Sequence, residues 1–243
     1  MQTGYNNIKW KDPRLGRYIP ANFDHVEKHP FSLSAIKRPS PMAIGINWYA
    51  SFDVPVWDEK ARIWWIGKDP NNLGSLRGGH ALCVPSDHRR NKAWWIYYDQ
   101  LSQGACVDFA ITQCMSENNH KLYKKFWLWD RAKEIDEYEE TNPGDNNGTS
   151  VNAGLRALMN LGHIPLKSKT GLPELKEGIS AFNWARDEEA MLVALDNPLY
   201  RKRNALPLWN SWGKGVPAVV WMPIPTISRL RREDGEFGII IDK

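Results

Sequence analysis

Cys106 is the residue of this chain with the clearest potential for covalent chemistry. It follows a Gly-Ala pair and begins a stretch with helical character. A thiol attacks carbonyl groups as the thiolate, and a helix N-terminus stabilises that anion through its dipole and its free N–H groups. Asp108 lies two positions further on, about 200° around a helix, so its carboxylate should point away from the sulfur. The local sequence therefore predicts a nucleophilic cysteine.

A glutamine, Gln100, stands six residues before Cys106. Its side-chain amide could donate to the oxyanion that forms when a thiolate attacks a carbonyl. This spacing resembles the active-site segment of papain-like cysteine peptidases, in which the cysteine is the nucleophile and the glutamine is an oxyanion donor. The backbone N–H of Cys106 would be the second donor. Such a mechanism also needs a histidine base and a partner that orients it.

Two other segments resemble the remaining motifs of that family. The Gly-Gly-His-Ala sequence at 78–81 is similar to its histidine strand, and the Asn-Ser-Trp-Gly sequence at 210–213 matches its asparagine motif. The resemblance implies that His80 takes the Cys106 proton, giving a thiolate–imidazolium pair, and later protonates the leaving amine. It also implies that Asn210 fixes the histidine tautomer.

Three shorter sequences are similar to bacterial and phage members of the family. They are Ile-Asn-Trp-Tyr at 46–49, Gly-Thr-Ser-Val at 148–151 and Glu-Asp-Gly-Glu at 233–236, so the resemblance covers residues 42–241. The residues that the resemblance places beside the substrate are Gly78, Gly79, Gly148, Thr149 and Trp212. The two adjacent glycines would leave room for a substrate backbone.

The order of the motifs departs from the family pattern. Papain-like enzymes usually run Cys, His, Asn, whereas this chain runs His80, Cys106, Asn210. Triads are defined by geometry and recur with different chain orders. We therefore expect the usual chemistry on a rearranged connectivity. Gln103 stands where secreted members have a disulfide-forming cysteine, which favours a reducing compartment.

The elements that must position these residues follow from hydrophobic periodicity and turn signals. We predict an N-terminal arm at 1–41, a first β-rich part at 42–98 with His80, a helical lobe at 99–197 with Gln100 and Cys106, and a second β-rich part at 198–243 with Asn210. Within them, strands are predicted at 43–52, 61–67, 77–84, 92–98, 206–213, 218–222 and 237–241. Helices are predicted at 107–117, 122–138, 151–161, 186–195 and 227–232. The expected fold is α+β and papain-like, a single catalytic module with a helical lobe against an antiparallel β-lobe.

Composition limits the partners of the chain. Its 243 residues are 42% hydrophobic and 25% charged, with a net charge of +4 that is too diffuse to favour nucleic acid. No apolar run approaches the roughly 20 residues of a membrane helix. The three cysteines, Cys83, Cys106 and Cys114, have no disulfide spacing, so we expect free thiols in the cytoplasm, with association with a virion as an alternative. The 13 tryptophans are either core residues or the walls of a stacking groove.

The sequence thus predicts a cysteine peptidase or amidase that hydrolyses peptide bonds of a peptide or protein substrate without metal or cofactor. Two alternatives stay open. One is a thiol hydrolase of bacterial cell-wall peptides, of phage origin. The other is a non-catalytic papain-fold protein that binds a partner or belongs to a virion. His25 and His29, and the Asp-Asn-Asn-Gly-Thr sequence at 145–149, lack the further ligands that a metal site requires.

Overall fold

The computed structural model describes residues 39–87, 98–136, 148–166, 176–213 and 216–241, and the backbone of residues 9–12 and 17–20. Six strands come first, three helices follow, and strands and helices are interspersed from there to the end of the described residues. The mixed α+β class is therefore confirmed. Residues 92–97 of the strand predicted at 92–98, the histidines at 25 and 29 and most of the 145–149 loop lie outside the described residues.

The described residues form ten strands and six α-helices. The strands are β1 (Lys9–Asp12), β2 (Arg17–Pro20), β3 (Met42–Tyr49), β4 (Val56–Asp58), β5 (Ile63–Trp65), β6 (Leu76–Val84), β7 (Ala181–Trp184), β8 (Ala205–Trp209), β9 (Val219–Pro223) and β10 (Glu236–Ile241). The helices are α1 (Cys106–Asn119), α2 (Trp127–Lys133), α3 (Val151–Leu161), α4 (Glu188–Leu195), α5 (Pro198–Arg203) and α6 (Ile224–Arg232).

Eight of these strands form one sheet in the order β4-β5-β9-β8-β6-β3-β10-β7. All neighbours in it are antiparallel except β5 and β9, which pair in parallel at Trp65 and Trp221. The prediction of a purely antiparallel sheet was therefore wrong for this pair. β1 and β2 form a separate two-stranded antiparallel sheet, where the sequence had indicated an irregular arm.

The central strands β3 and β6 place alternate side chains in two hydrophobic cores, as the two-residue period of a strand requires. Met42 and Ile44 belong to a core that also contains residues of α4, α5 and α6. Ala43 and Cys83 belong to a second core, built with α1, α2 and α3. The helices thus cover both faces of the sheet.

Several predicted boundaries are corrected by the backbone. The helix predicted at 122–138 is formed only as α2, because Phe126, its N-cap, has a left-handed φ of 63° that no helix interior accepts. β7 was not predicted and occupies the edge of the sheet beside β10, in the segment assigned to the helical lobe. β4 and α5 were missed as well, since both are shorter than the window over which periodicity is visible.

The helix predicted at 151–161 is confirmed as α3, with Ser150 as its N-cap and Gly162 directly after its last residue. The Ser150 hydroxyl accepts the Ala153 N–H at 3.1 Å. α3 also packs closely on α1. A Cβ atom on Gly154 would lie 2.5 Å from Ile111 Cδ1 and 2.8 Å from Val107 Cγ1.

We expect Gly154→Ala to lower the free energy of unfolding by about 1–2 kcal/mol. Overpacking costs about 1–3 kcal/mol, and the better helix propensity of alanine returns up to about 1 kcal/mol. Urea denaturation of the variant measures the difference. Asn160→Ala, at an exposed position of the same helix, is the matched control and should leave the stability within about 0.5 kcal/mol. A more stable Gly154→Ala protein would contradict the close contact.

Candidate functional site

Cys106 is the first residue of α1, so its sulfur lies at a helix N-terminus as the sequence predicted. No side chain caps this helix. Burial raises the pKa of the Cys106 thiol, while the N–H groups of Ala81, Val107 and Cys106 itself lower it. The helix N-terminus therefore lowers the pKa of the thiol as expected, but burial raises it by more. Because Ala81 directly follows His80, its contact with the thiol also places the sulfur against β6.

Asp108 does point away from the thiol, as its position on the helix predicted. Its carboxyl group accepts hydrogen bonds from the Thr112 hydroxyl at 3.1 Å and from the Phe126 N–H at 2.9 Å. It is buried, and burial raises its pKa to about 7. Asp108 thus belongs to the packing between α1 and α2.

His80 and Asn210 form the predicted pair, with His80 Nε2 3.3 Å from Asn210 Oδ1. The same Oδ1 accepts the Ser211 N–H at 2.8 Å, which identifies it as the oxygen of the amide. An oxygen can only accept, so Nε2 must carry the hydrogen in the neutral ring. The lone pair is then on Nδ1, which is the nitrogen that could accept a proton.

Two tryptophans enclose the His80 ring. Trp212 stacks on it, with ring centroids 5.0 Å apart, and the edge of Trp48 approaches at 4.9 Å. Burial lowers the pKa of His80 to about 4, and the hydrogen bond to Asn210 opposes this with a smaller effect. The tryptophan of the 210–213 motif therefore covers one face of the His80 ring.

The predicted thiolate–imidazolium pair is not the resting state that these pKa shifts favour. A raised thiol pKa and a lowered imidazole pKa both keep the proton on sulfur. Within the part of the chain that the structure describes, no hydrogen bond joins the Cys106 thiol to the His80 ring. Hydrogen bonds of catalytic groups are often long before substrate binds, so this geometry is compatible with a base that engages later.

Cys106 and His80 nevertheless line the same cavity, whose volume is about 510 Å³. The described residues around it come from β3, β6, the start of α1, the start of α3 and the loop between α6 and β10. Gly79, Gly148 and Thr149 are among them, as predicted for substrate-binding residues. Gly78 and Trp212, by contrast, are not part of this lining. Trp212 instead stacks on the His80 ring. A Cβ atom on Gly79 would meet nothing within 4 Å, so space is open in front of it.

Gln100 is hydrogen-bonded to Ser211 of the asparagine motif and does not line the cavity. Its Oε1 accepts the Ser211 hydroxyl at 2.5 Å, and its backbone N–H donates to the Ser211 carbonyl at 2.8 Å. Its Nε2 donates one hydrogen to the Gln103 carbonyl at 3.1 Å. An amide nitrogen has two hydrogens, so one donor remains for an oxyanion. The role of Gln100 as oxyanion donor stays a prediction.

We expect Gln100→Ala to lower kcat/KM for peptide hydrolysis by about 10²–10³-fold, the usual effect of removing one oxyanion donor. Alkylation of Cys106 by iodoacetamide should proceed at the parental rate, because alkylation forms no oxyanion. Ser211→Ala is the control, since it removes the bond to Oε1 and keeps the amide. Equal losses in both reactions would instead show that Gln100 only supports the local backbone.

Two carboxylates for which the sequence predicted no role hold the cavity wall at 148–151. Asp136 accepts the Ser150 N–H at 2.8 Å and also binds the Thr149 hydroxyl. Glu236 accepts the N–H groups of Val151 at 2.8 Å and of Asn152 at 3.1 Å. The acidic sequence at 233–236 resembles that of bacterial and phage members, but nothing in its spacing indicates a contact with this wall, and no local pattern indicates one for Asp136.

Other candidate sites on the chain are limited. Cys83 and Cys114 are buried free thiols, and their sulfur atoms lie 3.1 Å apart. In the residues that the structure describes, no three His, Cys, Asp or Glu side chains form a group that could hold a metal ion. No helix in these ranges has the length and apolar character needed to cross a membrane.

Comparison of the chain with models of protein families, with curated proteins and with solved structures found no significant match. The geometry of this cavity and the residues that line it are therefore the basis for inferring a function.

Proposed function

We propose that this protein is a cysteine peptidase or amidase that hydrolyses peptide bonds in the cavity between β6, α1 and α3. The observation that carries this is that Cys106 and His80 line one cavity. The Cys106 thiol lies at the uncapped N-terminus of α1, and the His80 ring has its lone pair on Nδ1. A nucleophile, a base and a group that orients the base are the minimum for covalent hydrolysis.

The first half of the reaction forms a thioester. Cys106 Sγ attacks the carbonyl carbon of the scissile bond while its proton moves to His80 Nδ1. Since both groups are neutral beforehand, proton transfer accompanies attack. The negative charge on the carbonyl oxygen is held by the Cys106 N–H, which has no partner inside the helix that it begins, and by the second hydrogen of Gln100 Nε2. The intermediate collapses, the C–N bond breaks, and the Nδ1 proton passes to the leaving amine.

The second half releases the acid. A water molecule loses a proton to His80 Nδ1 and attacks the thioester carbonyl. The C–S bond then breaks, and the proton returns to sulfur. Asn210 keeps the ring in one orientation through both halves, and Trp212 shields their hydrogen bond from water. Each of these steps requires Sγ and Nδ1 to approach once substrate fills the cavity.

The same arrangement supports a papain-like relation of elements, reached by a different chain order. A helix that begins with the cysteine packs against the strand that carries the histidine, and the asparagine directly follows the last residue of β8 and reaches the ring from there. The His–Cys–Asn order then reflects where the β segment is inserted in the chain. The predicted arrangement, a helical lobe against a β-lobe, did not include helices on both faces of a single sheet.

Substrate digestion tests the proposal. Purified protein is incubated with casein, with a mixture of synthetic peptides and with purified peptidoglycan, and new termini are identified by mass spectrometry. Cleavage of casein or peptides supports a peptidase, and release of peptides from peptidoglycan alone supports the wall-hydrolase alternative. No new termini from any of them, with Cys106 also inert to epoxide inhibitors, would support the non-catalytic alternative.

A further inference from the structure

The described residues that line the cavity give it a negative charge. Its lining contains Glu233, Asp234 and Glu236, all from the loop between α6 and β10 and the first residue of β10. None of the described lining residues is a lysine or arginine. His80, with a pKa of about 4, is neutral near pH 7 and offsets none of this charge. A cavity of this kind attracts cations and repels anions.

Two of the three carboxylates already have partners within the protein. Glu233 accepts a hydrogen bond from Arg229 Nε at 2.7 Å and another from the Tyr49 hydroxyl at 2.8 Å. Glu236 is bound by the first N–H groups of α3, at Val151 and Asn152. Both therefore serve to fix the walls of the cavity, and a ligand would have to displace these bonds to use them.

Asp234 lies between these two residues and differs from both. It is exposed, and its left-handed φ of 66° is a conformation that aspartate and asparagine adopt more readily than most residues. In the described ranges it makes no hydrogen bond and no ion pair. Its carboxylate is thus the charged group of the lining that a ligand can reach without breaking an existing bond.

We propose that Asp234 is a specificity-determining residue that binds the ammonium or guanidinium group of a peptide substrate. The preferred substrates then carry lysine, arginine or a free α-amine close to the scissile bond. This rests on the proposed function, because it uses the cavity that Asp234 shares with Cys106 and His80. The cation offsets the charge of Asp234, while Glu233 and Glu236 keep their bonds to the protein.

The first experiment measures the charge preference at Cys106 without needing catalysis. Methanethiosulfonate reagents that are cationic, neutral or anionic modify the thiol. The protein and reagent sulfurs form a disulfide, the reagent S–S bond breaks, methanesulfinate leaves with the electron pair, and the thiol proton goes to solvent. Rates are followed by intact mass and divided by the rates for free cysteine. We expect cationic reagents to react fastest, and Asp234→Asn to lower the cationic-to-neutral ratio about fivefold, the upper range for a solvated ion pair.

Asp196→Asn is the matched control for this substitution. Asp196 is also exposed and left-handed, with φ 43°, but it ends α4 and does not line the cavity. Its replacement should leave the ratio of rates unchanged. A ratio that is the same in Asp234→Asn as in the parent protein, or that falls equally in both variants, would overturn the role of Asp234.

The second experiment uses peptides that differ at one position near the scissile bond, with lysine, norleucine or glutamate, each with a free or acetylated N-terminus. We expect kcat/KM to be highest for the peptides with lysine or for those with a free N-terminus. The peptide series in which Asp234→Asn abolishes this preference shows whether the side chain or the α-amine is the cation that Asp234 binds. If the thiol reagents show the preference and no peptide is cleaved, the peptidase proposal fails and the cation-binding role stands. Cleavage without any charge preference leaves the peptidase and removes this inference.

Discussion

Replacing Cys106 with alanine should abolish hydrolysis, with a fall in kcat of at least about 10⁴-fold, the scale seen when the nucleophile of a hydrolytic triad is removed. The serine and threonine of the described lining, Ser150 and Thr149, donate their hydroxyl hydrogens to Asp136, so His80 would not act as their base. Alanine is a good helix former and fits the first position of α1, so the variant should fold.

Two readouts check this prediction. Peptide hydrolysis should be undetectable above the blank, and an epoxide-type thiol inhibitor should add its mass to the parent protein but not to Cys106→Ala. Cys114→Ala is the matched control, since Cys114 lies on the same helix but is fully buried. It should keep both the activity and the adduct. Hydrolysis by Cys106→Ala at the parental rate would remove the proposed function.

Replacing His80 with glutamine should lower kcat/KM at pH 7 by about 10²–10⁴-fold, the usual contribution of a positioned general base. In the parent protein, activity should fall only as the pH drops through about 4, because burial lowers the pKa of His80 to that value. Below it the ring is protonated and accepts no proton, and above it the base is ready. A histidine with its ordinary pKa would instead place this limb near about pH 6.5.

The pH profile of Cys106 alkylation separates a base from a merely structural histidine. With His80 in place, the rate should level off above about pH 5, the region in which the ring is neutral. In His80→Gln it should rise about tenfold per pH unit up to the raised pKa of the thiol, because only the ionised fraction reacts. His120→Asn, at an exposed left-handed position after α1, serves as the control. Identical profiles in the parent and His80→Gln would contradict the role of base.

Local features of the site were predictable because they depend on neighbours in sequence. The start of α1 at Cys106, the start of α3 at Val151 and the direction of Asp108 all follow from turn chemistry and helix geometry. The predictions of secondary structure failed where tertiary packing overrode the local signal. Phe126 takes a left-handed conformation that ends a helical pattern, and β7 gains its place only by pairing with β10.

The protonation states of Cys106 and His80 could not be predicted from the local sequence. A helix N-terminus predicts a thiolate, yet the burial of Cys106 against β6 raises the thiol pKa, and the two tryptophans around His80 help to exclude the water that would stabilise an imidazolium. Desolvation depends on every element that surrounds a group, so a spacing of six residues between Gln100 and Cys106 carries no information about it.

The sequence by itself determined which groups are present: a cysteine at a helix start, a histidine on a strand and an asparagine before a tryptophan. These follow from residue types and short spacings, which fix local backbone geometry. Only the tertiary structure decided that Cys106 and His80 share one cavity, that Asn210 leaves the lone pair on Nδ1, and that Asp234 lies beside them. Residues 26 to 154 positions apart in the chain are brought together by strand pairing and core packing, and no local pattern encodes that distance.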